Sequence, residues 1–354
     1  MEQVLSTNNL VISIDAMGGD NSPRVVIEGL AIAAKKNPDV KFLLFGDEAK
    51  INENLSQYPA LQKVCEVRHA LEVVHNEDKP SQVIRNRNTS MYMAIDAVRK
   101  GEAQAIVSAG NTGALMAISK LVLKTIQKIH RPAIVSIMPH QHGKYVMLDL
   151  GANTECSAIN LAEFAMMGDI LARHALGIEK PRVALLNIGA EEMKGKEEIR
   201  QAAHMIKNSR MNIDFRGYIE PHEIPNGVAD VIVADGFTGN IALKSIEGTA
   251  RLVIRMIKNA VKGSFLAKIG LPFMMGVVLR VKKTMDPRLY NGAMFVGLNG
   301  LSVKSHGGTD ALGFSVAVSN AANLVRQNFV STIRCEIEKL DLDELSQEAI
   351  YDVY

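Results

Sequence analysis

The sequence contains no tryptophan, and aromatic residues together make up only 5% of it. That scarcity argues against a nucleic-acid reader that stacks bases on rings. Cysteine is rare too: Cys65, Cys156 and Cys335 lie far apart and form no CxxC pair. A scattered, odd set argues against a disulfide framework or a zinc cluster and fits a reducing compartment. Net charge is small, only +2, so an electrostatic partner must be met by a local patch. The stretch 269–279 is apolar but too short for a spanning helix, which needs about 20 such residues. Residues 1–9 are polar, carry Glu2, and lack the basic start and apolar run of a signal peptide. Together these absences predict a cytoplasmic protein that is soluble or rests on a membrane without crossing it.

Two nucleotide signatures are also missing. No turn reads G-x-G-x-x-G after the first strand, and no G-x-x-x-x-G-K-[ST] occurs anywhere. His140 and His142 are neighbours without a supporting carboxylate cluster, so no metal site and no cofactor is expected.

What is present is a sizeable apolar fraction, 47%, enough to build a large core. Short β-branched runs at residues 11–17, 41–46, 105–108, 133–138, 145–150, 183–188 and 231–234 read as strands. Most lack polar alternation, the mark of strands covered on both faces of a parallel sheet. Helical patterns fall between them, at 81–100, 112–128, 160–176 and 191–207. This alternation predicts a doubly wound α/β/α sandwich. One domain is expected over 10–330, with an acidic helix or tail over 331–354.

The glycines fall at strand ends. Six turns stand out: Asp15-Ala-Met-Gly-Gly-Asp20, Ser108-Ala-Gly-Asn-Thr-Gly113, Asp149-Leu-Gly-Ala-Asn153, Asn187-Ile-Gly-Ala-Glu191, Asp235-Gly-Phe-Thr-Gly-Asn240 and Ser305-His-Gly-Gly308. Ligands of open α/β sheets sit outside the carboxyl ends of strands, so most of these turns are expected to line one rim and converge on one crevice. Glycine backbone, hydroxyls and amides at helix starts suit a small anion such as phosphate. Any single turn has a plainer explanation, a glycine serving only a tight bend.

These segments, together with Lys194-Gly195 and Lys304-Ser-His-Gly307, resemble the phosphate acyltransferase (PlsX) family in order and spacing over roughly residues 10–325. The resemblance implies a homodimeric, Rossmann-like fold akin to phosphotransacetylases and isopropylmalate-type dehydrogenases. It implies transfer of a fatty acyl group from acyl carrier protein to inorganic phosphate. The acyl phosphate would then feed a membrane glycerol-3-phosphate acyltransferase in phospholipid synthesis. Two departures stand out. Glu155 replaces the family's usual Asp, and Asn291-Gly-Ala-Met-Phe-Val-Gly297 replaces a Gly-Gly-Ala-Pro-Leu-Leu-Gly stretch.

Attack of phosphate on a thioester needs no protein nucleophile, only positioning and a stabilised oxyanion. Lys194 is the first candidate for that role, Asn240 the second as an amide donor, and His306 the third as a general acid for the departing thiol. Each also has a plain alternative: a solvated lysine, a helix cap and a structural imidazole. The anion is expected near Asp15, Gly18, Gly19, Ser108, Gly110, Asn111, Thr112, Gly113, Asn153 and Gly239. Asp15, Asp20 and Asp149 would orient lysines or amides rather than touch a like-charged phosphate. Cys156 lacks a partner histidine at a motif-like position, which argues against a covalent acyl-enzyme.

Residues 249–285 contain no acidic residue, and Arg251, Arg255, Lys258 and Lys262 share one helical face. Phe273 and Met274 lie in the apolar, glycine- and proline-interrupted segment that follows. A projecting helical hairpin is expected, serving a dimer interface, an anionic membrane surface or acidic acyl carrier protein. The rival functions are an isopropylmalate-type oxidoreductase, a two-carbon phosphotransacetylase and a non-enzymatic membrane scaffold.

Overall fold

The computed structural model describes residues 10–209, 211–263, 275–276 and 286–339. Its strands are β1 (Leu10–Asp15), β2 (Val40–Gly46), β3 (Cys65–His69), β4 (Ala105–Ser108), β5 (Ala133–His140), β6 (Gly143–Leu148), β7 (Arg182–Leu186), β8 (Asp214–Ile219), β9 (Val231–Val233), β10 (Ala293–Val296) and β11 (Leu301–Lys304). The helices are α1 (Arg24–Lys36), α2 (Glu48–Leu55), α3 (Pro59–Gln62), α4 (Pro80–Val83), α5 (Ser90–Arg99), α6 (Thr112–Leu123), α7 (Ala158–Leu171), α8 (Glu197–Asn208), α9 (Gly236–Gly263), α10 (Ala311–Arg326) and α11 (Phe329–Lys339).

All strands join one sheet, in the order β3-β2-β1-β4-β11-β10-β5-β6-β9-β7-β8. Residues of both parities in the central strands are buried, because helices cover both faces. Ile12, Ile14, Phe42 and Leu44 pack with Val26 and Leu30 of α1, Phe164 of α7 and Phe314 of α10. Leu43, Phe45, Ile106 and Met147 pack with Met91 of α5, Ile118 of α6 and the first turns of α9. Each fully buried side chain of this size contributes about 1.5–3 kcal/mol. The α/β/α sandwich is therefore as the apolar runs predict.

Strand direction is not uniform. β3, β2, β1, β4 and β11 run parallel to one another. β10, β5 and β6 then pair antiparallel, each reversing the last. β9, β7 and β8 follow β6 in parallel. The net result is that the second group runs opposite to the first. The turns after β1, β4 and β11 thus sit at one end of the sheet, and those after β6, β7 and β9 at the other. The expectation that most of these turns share one rim is corrected by this reversal, which puts three at each end.

Two helices differ from expectation. The pattern at 81–100 is split into α4 and α5, because Thr89 accepts from the Tyr92 N–H and starts a new helix. Meanwhile α9 begins at Gly236, well before residue 249, and continues unbroken to Gly263. Residues 236–240 are its first turns, not a free loop.

Candidate functional site

At the first sheet end, Asp15 closes β1 and is buried. Its two carboxylate oxygens each accept a hydroxyl hydrogen, from Ser90 and from Ser108, both at 2.7 Å. Burial raises its pKa, against the pull of those hydroxyls and of nearby Lys304. Ser108 in turn accepts the Gly110 N–H at 3.0 Å, so its hydroxyl is fully engaged. Gly18 and Gly110 are packed around this group: a Cβ on Gly18 would lie 2.6 Å from an Asp15 oxygen and 2.7 Å from the Gly110 nitrogen. Gly19 has φ +105°, a left-handed conformation that other residues adopt only with strain.

Asn111 caps α6 through the Ala114 N–H, and its amide donates to the carbonyl of Asn76 at 2.9 Å. Thr112 and Gly113 open that helix and are exposed. Of the expected anion ligands at this end, Ser108, Gly110 and Asn111 are committed to holding the turns, while Thr112 faces solvent.

The same end contains a group that sequence reading passed over. Lys304, last residue of β11, donates to the carbonyls of Ala109 (3.2 Å) and Ser305. Burial lowers its pKa to about 8. Two residues on, His306 is exposed; its N–H donates to Asn291 Oδ1 and its Nδ1 accepts the Gly308 N–H. The neutral ring therefore presents Nε2–H outward. Burial of the imidazole and the charges of Lys304 and Lys244 lower its pKa. His306 is thus a neutral donor at pH 7; an imidazolium acid would need the opposite shift. Asn291, at the first position of the divergent segment, also donates to Ser305 Oγ at 2.8 Å and so pins the His306 turn.

At the second end, Asp149 accepts from the backbone N–H groups of Ile134, Gly151, Ala152 and Asn153 and from the Asn153 amide. The Asn153 amide also donates to the Pro132 carbonyl, so Asn153 is a scaffold residue. Asp235 caps α9 through Thr238. Gly239 is required by contact, since a Cβ there would lie 1.9 Å from the Asp149 carbonyl oxygen. Asn240 is therefore not the cap. It is exposed on α9 and lies over Gly151, where a Cβ would be 3.6 Å away.

Lys194 is half-exposed, 3.7 Å from Glu191. Lys196, unremarked in the sequence, is the lysine that reaches Asp235, at 3.6 Å. Asn187 donates to the Lys194 carbonyl, and its buried Oδ1 has no donor. Gly195 sits against that oxygen with φ +89°. Nearby, burial pushes the Cys156 thiol up to about 11, assisted by Asp149, which leaves it a weak nucleophile at neutral pH.

α9 joins the two ends. It starts at Asp149, and Lys244, one turn past Asn240, acts on Lys304 and His306 at the other end. Farther along, Arg251 pairs with Glu247, while Arg255, Lys258 and Lys262 are exposed. Leu252, Val253, Met256 and Ile257 are exposed as well. Phe273 and Met274 lie outside the described residues. Among the described residues no group of three metal-ligating side chains occurs, and no helix is long and apolar enough to cross a membrane.

Solved structures share this architecture. A phosphotransacetylase from Streptococcus pyogenes superposes with a TM-score of 0.61 at 17% identity, covering 90% of this chain and 95% of that one. A branched-chain phosphotransacylase from Enterococcus faecalis gives 0.53 at 14% identity, covering 89% and 99%. By fold, then, this is a phosphotransacetylase-like α/β protein.

Sequence relatives narrow this further. A family model described as "Fatty acid synthesis protein" matches residues 10–332. The phosphate acyltransferase of Rhodospirillum rubrum is 50% identical over 337 residues, covering 95% of this chain and 97% of the relative. That of Paramagnetospirillum magneticum is 50% identical over 338 residues, covering 95% and 96%. The chain belongs to the phosphate acyltransferase family and is an acyltransferase of fatty acid and phospholipid synthesis.

Proposed function

We propose that this chain moves a fatty acyl group from acyl carrier protein to inorganic phosphate, releasing free carrier protein and acyl phosphate. The observation that carries this reading is α9. It holds Asn240 beside the Asp149 turn and places Lys244 near Lys304 and His306, so cations and amide donors gather without a competent nucleophile. A phosphate oxygen attacks the thioester carbonyl, the carbon–sulfur bond breaks, and the thiolate leaves. Lys194 and Asn240 are assigned to the tetrahedral oxyanion, and His306 Nε2–H to the departing sulfur. For Lys194 this requires its ammonium to leave Glu191 and swing inward, a movement its half-exposed side chain permits.

The test is phosphate-dependent release of carrier-protein thiol from palmitoyl-acyl carrier protein. Lys194→Ala is expected to lower kcat by about 10²–10³-fold, the usual effect of a lost oxyanion donor. Release that survives this change moves the oxyanion role to Asn240. No release by the unmodified enzyme at any phosphate concentration overturns the reading.

A peripheral role belongs to the outer part of α9. Its exposed Leu252, Val253, Met256 and Ile257 lie beside Arg255, Lys258 and Lys262. That combination suits an anionic membrane surface or acidic acyl carrier protein, and a homodimer would present two such helices. Delivery at a membrane would suit a membrane glycerol-3-phosphate acyltransferase as the consumer.

A further inference from the structure

Lys304 is a part-buried lysine with no ion-pair partner among the described residues. Two of its three ammonium hydrogens go to the carbonyls of Ala109 and Ser305, which leaves one unassigned. The charged groups that face it come from several elements. Asp15 of β1 and Asp20 of the following turn attract it through space, Lys244 of α9 repels it, and His306 lies just beyond it on its own turn. Asp15 acts on Lys304 only through space: its oxygens point at the Ser90 and Ser108 hydroxyls and no ion pair with Lys304 forms among the described residues. A part-buried cation in this state favours an incoming anion. The turns around it also expose the start of α6, whose dipole has the same preference.

We propose that Lys304 is the residue that binds inorganic phosphate, giving its third N–H to a phosphate oxygen at the β1/β4/β11 end of the sheet. This rests on the acyltransferase reading above and locates its second substrate. Lys244 on α9, one turn beyond Asn240 and paired with Glu247 at 3.1 Å, is the other lysine that acts on this group. Sequence inspection passes over Lys304 because the run that ends in it does not read as a strand, and a lysine between elements is ordinarily a solvated one.

The proposal makes a pH signature. Phosphate must bind the protonated ammonium, so its KM, expressed for the dianion to remove phosphate's own ionisation, is flat below about 8 and rises roughly ten-fold per pH unit above that. The KM for palmitoyl-acyl carrier protein stays flat over the same range. Lys304→Arg keeps its charge and abolishes the rise. Lys304→Met raises the phosphate KM by about a hundred-fold near neutral pH, as expected for loss of one part-buried charge partner, with the carrier-protein KM within about two-fold. Phosphate protection against thermal melting, read on the same variants, should fall in parallel. Should the Met variant fail to fold, the unmodified enzyme and the Arg variant decide the matter.

An unmodified enzyme whose phosphate KM ignores pH through 8, an Arg variant that retains the rise, or a folded Met variant with normal phosphate KM overturns the proposal. In each of those cases thiol release continues, so the acyltransferase reading survives. Only absence of phosphate-dependent release in the unmodified enzyme removes both.

Discussion

Asp15 and Asp149 look alike in the sequence, each an aspartate at a strand end running into glycines, yet the structure treats them differently. Asp149 accepts from four backbone N–H groups and one side-chain amide. It ties β5, the Gly151–Asn153 turn and, through the Gly236 N–H bond to the Asn153 carbonyl, the start of α9. Asp15 is held by two serine hydroxyls and lies near a lysine. Burial raises the pKa of both; the rise is opposed mainly by the serine hydroxyls and one backbone N–H, of Met17, at Asp15, and by several backbone N–H groups at Asp149. The lesson is that one motif shape is caged by backbone at one end of the sheet and held by side-chain hydroxyls beside a lysine at the other.

The comparison breaks first at the carboxylates themselves. Asp149→Ala orphans several buried backbone N–H groups and is expected to cost on the order of 3–5 kcal/mol in urea unfolding. Asp15→Ala leaves two hydroxyls that find other partners and should cost about 1–2 kcal/mol, with a larger loss in phosphate-dependent turnover than in stability. Equal stability losses would erase the distinction between backbone cage and hydroxyl pair.

A smaller effect tests how closely α9 must approach the Asp149 cage. Gly239→Ala puts a Cβ 1.9 Å from the Asp149 carbonyl oxygen and forces the helix away. A loss of about 1–3 kcal/mol is expected, as for other overpacked sites, together with reduced turnover because Asn240 shifts with the helix. The same change one stretch later has the opposite sign. A Cβ on Gly248 meets nothing within 4 Å, so Gly248→Ala should raise helix stability by about 0.5–1 kcal/mol without altering kcat. Thermal melting of the two variants side by side reads both.

Much of the fold is legible in the residues. The apolar runs of β1, β2, β4, β5, β6, β7 and β9 need only burial on both faces, and each forms where its run lies. The strands that escaped notice have local reasons. β3 (CEVRH) and β8 (DFRGYI) are edge strands, so they carry charge and are only partly buried. β10 lies within a glycine-flanked stretch, and β11 carries Ser302 and Lys304, which interrupt its apolar run. The start of α9 was hidden because Gly236 and Gly239 read as turn residues, whereas contact with Asn153 and Asp149 is what demands glycine there.

The candidate site divides in the same way. Residue types alone pointed to an anion crevice lined by polar glycine-rich turns; acyl transfer, with Lys194, Asn240 and His306 as candidates, came with the resemblance to phosphate acyltransferases. Residue types did not point to Lys196 or Lys304, whose roles depend on what lies beside them rather than on spacing along the chain. Nor did they separate Ser108 and Asn111, whose polar atoms are committed to the turns, from Thr112, which is exposed. The sequence by itself determined the layered α/β architecture, through apolar runs that must be buried whatever their partners. Only the tertiary structure decided which strand ends share a side of the sheet, which aspartate is caged by backbone, and which lysine is left part-buried with a hydrogen to give. Those depend on the reversals at β10, β5 and β6, set by long-range pairing energies that no local pattern encodes.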